Sequence, residues 1–256
     1  MNSLHLEQLL AAVIFIGARV SGLMVYCPFF ASDAIPIPLK AALTLLITGL
    51  LYLVHGPIRL DLTAWQWAGV GIGEVIIGLV LGLAANFMME AAMLAGQVLG
   101  VQMGYSLASL FDPQTQADTP VLATLHQLFS LLIFLQFDVH HWLLRALVSS
   151  FVYLPAGAAP ANYLAATSLL RAAGGIFLSG LQIAAPALAA TLVADVALGF
   201  LGKASPQMPV LFIGMAVKNL LGLAVMIAVA GYCPHLLADR FAESIHLGER
   251  LLHYSH

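Results

Sequence analysis

Charged side chains are scarce in this sequence, and their scarcity excludes most classes of soluble protein. Asp, Glu, Lys and Arg make up 8% of the 256 residues, whereas hydrophobic residues make up 61%. A soluble domain carries about 25% charged residues, and a soluble chain with so few would expose large apolar patches and aggregate. Burial in lipid removes that objection. The net charge of −3 is also too small to indicate binding to nucleic acid.

Short strands in which apolar and polar residues alternate are missing too, which argues against a membrane β-barrel. The apolar runs are continuous and rich in Leu and Ala, and a spanning helix needs about 20 mostly apolar residues. The sequence therefore predicts an all-α, polytopic membrane protein of stacked, partly bent helical hairpins. We expect about six apolar segments and an amphipathic C-terminal helix with Leu237, Phe241 and Ile245 on its apolar face. That face suits lipid, a partner or the rest of this chain.

Proline is absent between Thr63 and Phe111, so the chain can stay helical over this third segment. Such a helix would be roughly 70 Å long, more than twice a hydrocarbon core of about 30 Å. The sequence therefore predicts that the segment bends or splits, most naturally at the polar stretch from Asn86 to Glu90. It should end by Asp112-Pro113, because the residue before a proline disfavours the helical conformation.

Cysteines and catalytic motifs are rare or missing. The two cysteines, Cys27 and Cys233, are expected to be buried free thiols. The sequence contains no zinc-protease, nucleophile-elbow, phosphate-loop or dinucleotide-binding motif. His140 and His141 are adjacent, so in a helix their side chains diverge by about 100°, which makes a poor metal pair. The sequence therefore predicts no enzymatic activity, no cofactor and no metal.

Glycine, by contrast, is abundant, and its spacing predicts close packing between helices. Gly78 and Gly82 are four residues apart, as are Gly96, Gly100 and Gly104. Small residues at this spacing allow helix backbones to approach closely within a membrane. These seams can lie within the chain or between subunits, and the spacing alone leaves both interpretations open.

The few charges inside the apolar segments should face protein or water, because lipid penalises them. If the last two segments form an antiparallel hairpin about Pro206, Asp195 lies 11 residues before it and Lys218 lies 12 after. Equal distances from the turn place both at the same height, so we predict a salt bridge or a shared polar site. The turn is assigned to Pro206, Gln207 and Pro209. The other buried charges are Arg19, Lys40 and Glu74.

A polar stretch with glycines ends the long third segment and enters a loop. Glutamines inside an apolar helix are costly unless they are hydrogen-bonded. A polar loop entered from such a helix predicts a plug or gate, against the plainer interpretation of an ordinary exposed connection. The residues assigned to this plug or gate are Gln102, Met103, Gly104, Tyr105, Ser106, Phe111, Asp112 and Pro113.

Several short motifs occur in a characteristic order along nearly the whole chain. They are Arg19-Val20-Ser21-Gly22, Pro28-Phe29-Phe30, Ile37-Pro38-Leu39-Lys40, Gly96-Gln97, Gln102-Met103-Gly104, Asp112-Pro113, Asp195, Leu198-Gly199, the run from Ser205 to Val210, and Lys218 with Gly222-Leu223. In this order and spacing they resemble the FliR family of flagellar export-gate proteins. Met208-Pro209 departs from the family pattern, which more often keeps a backbone N–H at this turn.

The resemblance implies a structural and gating subunit that closes a helical ring with FliP and FliQ, near FlhB, in the bacterial inner membrane at the flagellar basal body. Residues 1–160 would be a FliP-like portion, and residues 161–256 a FliQ-like hairpin with an amphipathic tail. The loop at residues 105–120 would be the family's plug, which keeps the pore closed to small solutes. Exported unfolded flagellar proteins would be transient partners. The glycine seams and the buried charges would then face sister subunits.

Other functions stay open at this point. The equivalent subunit of a virulence injectisome would share the physics of the gate. A secondary transporter would use Asp195, Lys218 and Glu74 as a proton or ion relay, and the purified chain alone would take up substrate. An intramembrane enzyme would need a nucleophile or a metal set that the sequence does not show.

Overall fold

The protein is helical throughout the parts of the chain that its computed structural model describes. These are residues 3–28, 30, 35–57, 63–105, 121–158, 166–205, 207, 210–229 and 241–242. Within them the chain forms seven α-helices and no strand, which confirms the predicted all-α class. The helices are α1 (Ser3–Tyr26), α2 (Ile37–His55), α3 (Ala64–Gln102), α4 (Val121–Gln136), α5 (Val139–Tyr153), α6 (Ala166–Ala204) and α7 (Val210–Val229).

Five of these helices, α1, α2, α3, α6 and α7, are long and apolar enough to cross a membrane. Together, α4 and α5 meet the same criterion across the break between them, which raises the number of candidate spans to six. This agrees with the predicted number of apolar segments. The number, length and apolar composition of these helices indicate a multi-pass membrane protein.

The third segment does not split, because α3 is one uninterrupted helix of 39 residues; the bend that the sequence offered as the alternative stays a prediction. At 1.5 Å per residue it is about 58 Å long. Half of its apolar stretch is buried inside the protein, so protein as well as lipid surrounds it and its length need not match a bilayer. The helix ends at Gln102, before the predicted Phe111, because Gly104 adopts a positive φ of 87°. A glycine in the left-handed conformation is a common helix terminator.

The chain divides into two compact units whose segments alternate along the sequence. The first comprises residues 1–87, 134–173 and 240–256, and the second comprises residues 88–133 and 174–239. The division at residue 160 into FliP-like and FliQ-like portions concerns resemblance and not compactness, and it stays a prediction.

In the first unit, α1 crosses α3 at glycines of both helices. A Cβ atom added to Gly22 would overlap the carbonyl oxygen of Val75, and one added to Gly78 would overlap the carbonyl oxygen of Arg19. Only hydrogen fits at these positions, so the two backbones lie in direct contact. This close crossing brings the side chain of Arg19 to α3.

In the second unit, the C-terminal part of α3 packs against α4 through Gly96. A Cβ atom added there would overlap the carbonyl oxygen of Leu122. An apolar core surrounds this contact, and α6 contributes Ala184 and Ala187 to it. The end of α3 is therefore held inside the unit by both helices. The remaining buried members of this core are Ala95, Leu99, Met103 and Leu122.

Candidate functional site

Two fully buried charges of the first unit form an ion pair. Arg19 Nε donates to Glu74 Oε2 at 2.6 Å, and neither side chain is exposed to solvent. The other carboxylate oxygen of Glu74 accepts the backbone N–H of Gly157 at 2.8 Å. Arg19 also donates to Ser150 Oγ at 3.0 Å and to the carbonyl oxygen of Leu154 at 2.9 Å. All three guanidinium nitrogens and both carboxylate oxygens thus have partners, as a buried ion pair requires.

This ion pair connects α1 and α3 to the end of α5. The guanidinium carbon of Arg19 lies 4.0 Å from the centroid of the Phe151 ring, a cation–π contact. The sequence predicted that Arg19 and Glu74 are buried charges, but it did not predict that they pair. Because the pair is fully enclosed, it is suited to holding three helices together and not to binding a ligand.

The second unit contains a more open group of polar side chains, the Asp195 cluster, which consists of Gln102, Asp195 and Lys218. Lys218 Nζ lies 2.8 Å from Asp195 Oδ1, and Gln102 Nε2 donates to Asp195 Oδ2 at 2.8 Å. The side chain of Lys218 is 17% exposed and that of Asp195 is 40% exposed. The structure therefore brings together the two charges for which the sequence predicted a shared site, and it adds Gln102.

The geometry of α6 and α7 explains how the two charges meet. Nearer the turn, a Cβ atom added to Gly214 would lie 3.1 Å from Leu198. One helical turn farther out on α7, Lys218 reaches Asp195. Contacts that move away from the turn along both helices indicate an antiparallel hairpin. Gln207 lies in the turn between the helices, whereas Pro206 and Pro209 lie outside the described residues.

The residues assigned to the plug begin at this cluster. Gln102 is the last residue of α3, and the following Met103 is buried. Met103 packs against α7, where its Cε lies 2.7 Å from the position of a Cβ atom added to Gly222. Gly104 then turns the chain and Tyr105 is 41% exposed. Ser106, Phe111, Asp112 and Pro113 lie outside the described residues.

Three of the predicted glycine seams are occupied by helices of the same chain. Gly78 and Gly82 lie against α1, and Gly96 lies against α4. These three positions are therefore not available to a neighbouring subunit, contrary to what the family resemblance implied. Gly100 is buried within α3. Lys40 is half-buried near the start of α2.

Comparison with known proteins identifies the family of the chain. The family described as bacterial export proteins, family 1, matches residues 10–244. The flagellar biosynthetic protein FliR of Escherichia coli (strain K12) is 32% identical over 227 residues, which cover 87% of each chain. The chain belongs to the FliR family. FliR of Pectobacterium carotovorum subsp. carotovorum is also 32% identical, over 88% of this chain. FliR of Bacillus subtilis (strain 168) is 26% identical over 98% of both chains.

Membership of the FliR family confirms the resemblance that the short motifs predicted. The structure gives three of these motifs a physical role in this FliR-family chain. In the motif from Arg19 to Gly22, the arginine forms the buried ion pair and the glycine allows the helix crossing beside it. Asp195 and Lys218 form the centre of the Asp195 cluster.

A third group of polar residues lies at the break between α4 and α5 of this FliR-family chain. Asp138 Oδ1 lies 3.5 Å from His141 Nδ1 and 3.8 Å from His140 Nε2. The two imidazole centroids are 4.2 Å apart. The sequence treated the adjacent histidines as a diverging pair and did not include Asp138. The missing information was the backbone conformation of Asp138, which has a positive φ of 54°.

Several helices of the FliR-family chain leave their apolar surfaces uncovered. Of the residues in the most apolar stretch of each helix, only 11% are buried in α2, 17% in α6 and 11% in α7. In a membrane protein such faces meet lipid or other helices. Large apolar side chains exposed on these helices include Leu45, Leu53, Phe200, Phe212 and Leu220.

In the tail, Phe241 is fully buried and its ring lies edge-on to that of Phe134, 5.6 Å between centroids.

Proposed function

We propose that this chain is a structural and gating subunit of the flagellar protein export gate, without catalysis of its own. It would lie in the bacterial inner membrane at the flagellar basal body and close a helical ring with FliP-like and FliQ-like subunits, near an FlhB-like one. Unfolded flagellar proteins would cross the pore transiently. The relatives named above are flagellar biosynthetic proteins, which favours the flagellar function over the injectisome.

The uncovered helix faces support a role among other subunits. Few residues in the apolar stretches of α2, α6 and α7 are buried by this chain, namely 11%, 17% and 11% of them. A Cβ atom added to Gly49 of α2 or to Gly199 of α6 would meet nothing within 4 Å. Small residues on open apolar faces allow another helix to approach closely. In the proposed ring these positions, and not Gly78, Gly82 or Gly96, are the intersubunit seams.

The observation that carries the gating role is the position of the Asp195 cluster at the root of residues 105–120. Through its amide, Gln102 ties the end of α3 to α6, and Lys218 ties α6 to α7. A hydrogen bond to a charged group contributes at most about 1.5–3 kcal/mol, and it contributes less at Asp195, because that side chain is 40% exposed. The tether is thus strong enough to hold the root of the plug in place and weak enough to release it.

Deleting residues 105–120 tests the plug directly. Because the tethered helices and the uncovered faces are retained, we expect the deletion variant to co-purify with its FliP-like and FliQ-like partners. Cells that contain it should become permeable to small solutes, measured by the uptake of a normally excluded dye. An assembled deletion variant with normal permeability would contradict the plug. Wild-type chain that does not co-purify with the partners would contradict the subunit role.

A charge exchange tests the Asp195 cluster. Asp195→Lys and Lys218→Asp should each reduce flagellar export, because each places like charges beside one another. The double variant restores an opposite-charge pair, and the amide oxygen of Gln102 can accept from the new lysine, so export should recover. Lys203→Ala is the matched control, since Lys203 is exposed on the same helix as Asp195. A double variant no better than either single one would show that the pairing has no role.

The state of Glu74 weighs against a secondary transporter. An ion relay needs carboxylates that can exchange protons with water, whereas Glu74 is fully enclosed with both oxygens bonded. Substrate uptake by the purified chain alone in liposomes would favour the transporter and overturn the proposed gate.

A further inference from the structure

The break between α4 and α5 gathers the side-chain types that bind transition metals. One ligand atom each from Asp138, His140 and His141 can be chosen so that all three lie within 4.8 Å of one another. The aspartate oxygen is 3.5 Å and 3.8 Å from the two histidine nitrogens. In a tetrahedral site with metal bonds of about 2.0–2.1 Å, ligand atoms lie about 3.4 Å apart. The observed spacing therefore fits such a site after small side-chain movements.

The carboxylate of Asp138 is not used for the task that its position suggests. Asp138 occupies the N-cap of α5, where an aspartate ordinarily accepts an N–H of the first helical turn, yet it makes no capping hydrogen bond. Its backbone is left-handed, with φ 54° and ψ 32°. Among the non-glycine residues that the structure describes, it alone has a positive φ.

This backbone conformation is unfavourable for a residue with a side chain, and such strain clusters at functional sites. At Asp138 it has a geometric consequence, because it places the carboxylate beside the imidazoles of the following turn. A glycine would form the same break at lower cost, whereas aspartate is one of the few residues with a side chain that enter this region. Aspartate at this position therefore combines the break with a carboxylate that lies beside the two imidazoles.

The two histidines complete the arrangement. His140 Nδ1 is enclosed and has no hydrogen-bond partner among the described residues, which leaves Nε2, on the side of Asp138, as the nitrogen available to a ligand. His141 presents Nδ1 to the same oxygen. The side chains of His140, His141 and Asp138 are 30%, 59% and 66% exposed, so this chain does not enclose the site and leaves room for a fourth ligand.

We propose that Asp138, His140 and His141 form a binding site for a divalent transition-metal ion of the Zn²⁺ type, with water as the fourth ligand. Imidazole nitrogen and carboxylate oxygen are both established zinc ligands, and three protein ligands with one open position is a known arrangement. The bound ion would join the residue at the break to the first turn of α5 and fix the break. This site is independent of the proposed export function.

The test is a titration of the purified full-length chain in detergent with Zn²⁺ alone, followed by calorimetry, using an affinity tag that contains no histidine. The chain has nine histidines, so the informative quantity is the difference between variants. Asp138→Gly removes the carboxylate but keeps the left-handed backbone, so it should fold without metal at least as well as the wild type. His141→Gln removes a nitrogen ligand, and His126→Gln is the control, because His126 already bonds the carbonyl oxygen of Leu122.

We expect the wild type and His126→Gln to bind one more Zn²⁺ per chain than Asp138→Gly and His141→Gln, or to bind that ion at least about tenfold more tightly. Even changes to residues around a metal ligand weaken metal affinity by about tenfold or more. Zn²⁺ should raise the midpoint of thermal unfolding in the wild type and not in Asp138→Gly. Substituted Co²⁺ should show the intense visible absorption of a tetrahedral site. Equal Zn²⁺ affinity and stoichiometry in the wild type, Asp138→Gly and His141→Gln would overturn the proposal, as would binding only at millimolar Zn²⁺.

Discussion

Replacing Arg19 by methionine removes one partner of the buried ion pair and leaves the other in place. Glu74 would keep a single hydrogen bond, from the backbone N–H of Gly157 at 2.8 Å, inside a site with no solvent exposure. Removing one partner of a buried pair costs about 3–5 kcal/mol, because the remaining charge is buried without compensation. Ser150 and the carbonyl oxygen of Leu154 also lose a donor. We therefore expect Arg19→Met to fall in the upper part of that range.

A second substitution separates the charge effect from the loss of packing. Glu74→Gln in the Arg19→Met background removes the unpaired charge, and the amide oxygen can still accept the N–H of Gly157. The double variant should therefore be more stable than Arg19→Met alone, with a coupling energy near the top of the usual range of about 0.5–3 kcal/mol. Arg19→Lys keeps the charge but lacks the planar fork that reaches three acceptors, so its loss should be intermediate.

The assay is thermal unfolding of the detergent-solubilised chain, followed by tryptophan fluorescence. For a chain of about 250 residues, 1 kcal/mol shifts the midpoint of unfolding by about 2–4 °C, so a loss of about 4–5 kcal/mol in Arg19→Met should lower the midpoint by about 8–20 °C. Arg145→Met is the matched control, because Arg145 is exposed on α5 and surface changes stay within about 0.5 kcal/mol. The reasoning is refuted if Arg19→Met resembles this control, or if the double variant loses the sum of both single losses.

Two further predictions concern small side chains of the first unit. Gly78→Ala should destabilise the chain by more than about 1 kcal/mol, roughly the scale of overpacking, because the added Cβ would overlap the carbonyl oxygen of Arg19. Gly71→Ala is the control, because a Cβ atom there has nothing within 4 Å. Equal unfolding midpoints for the two variants would contradict the close crossing of α1 and α3. In a Cys233→Ser background, Cys27 should react with a soluble maleimide only after unfolding, because it is 2% exposed and burial raises the pKa of its thiol to about 12. An ordinary thiol reacts faster when the pH rises from about 7 to 9, because more thiolate forms. The folded chain should show no such increase, because few Cys27 thiolates form below a pKa of about 12. Faster labelling at the higher pH would contradict the burial of Cys27.

Local patterns in the sequence were sufficient for the helices and for the pairing of Asp195 with Lys218. Continuous apolar runs can satisfy their backbone groups within a membrane only as helices or closed barrels, and the runs lack the alternation of a barrel. The hairpin needs only one turn, so equal distances from Pro206 define which residues lie side by side. The position of Gln102 was not predictable in this way, because it depends on where α3 ends, and the left-handed glycine at residue 104 ends it early.

The pairing of Arg19 with Glu74 depends on how α1 and α3 cross. The two residues are 55 positions apart in the sequence, and no local pattern at that distance indicates the crossing. A weaker signal was present: Gly22 and Gly78 each follow one of the charges by about one helical turn. A glycine beside each of two buried charges indicates a face where two backbones can come close enough for the side chains to meet. The left-handed backbone of Asp138 left no comparable signal, because aspartate is equally suited to an ordinary helix cap.

The Arg19–Glu74 pair and the Asp195–Lys218 pair differ in the cost of breaking them, and this difference bears on the proposed gate. Separating Arg19 from Glu74 would leave two charges with no access to water, so this pair can hold helices but cannot act as a reversible contact. Asp195 is 40% exposed, so in a water-filled gate its carboxylate would be solvated when Gln102 or Lys218 moves away, and the net cost would fall toward the small value of a surface pair. A gate needs contacts that stay formed and, beside its moving segment, a contact that breaks and re-forms. The enclosed Arg19–Glu74 pair suits the first role. The more exposed Asp195–Lys218 pair, next to the start of residues 105–120, suits the second.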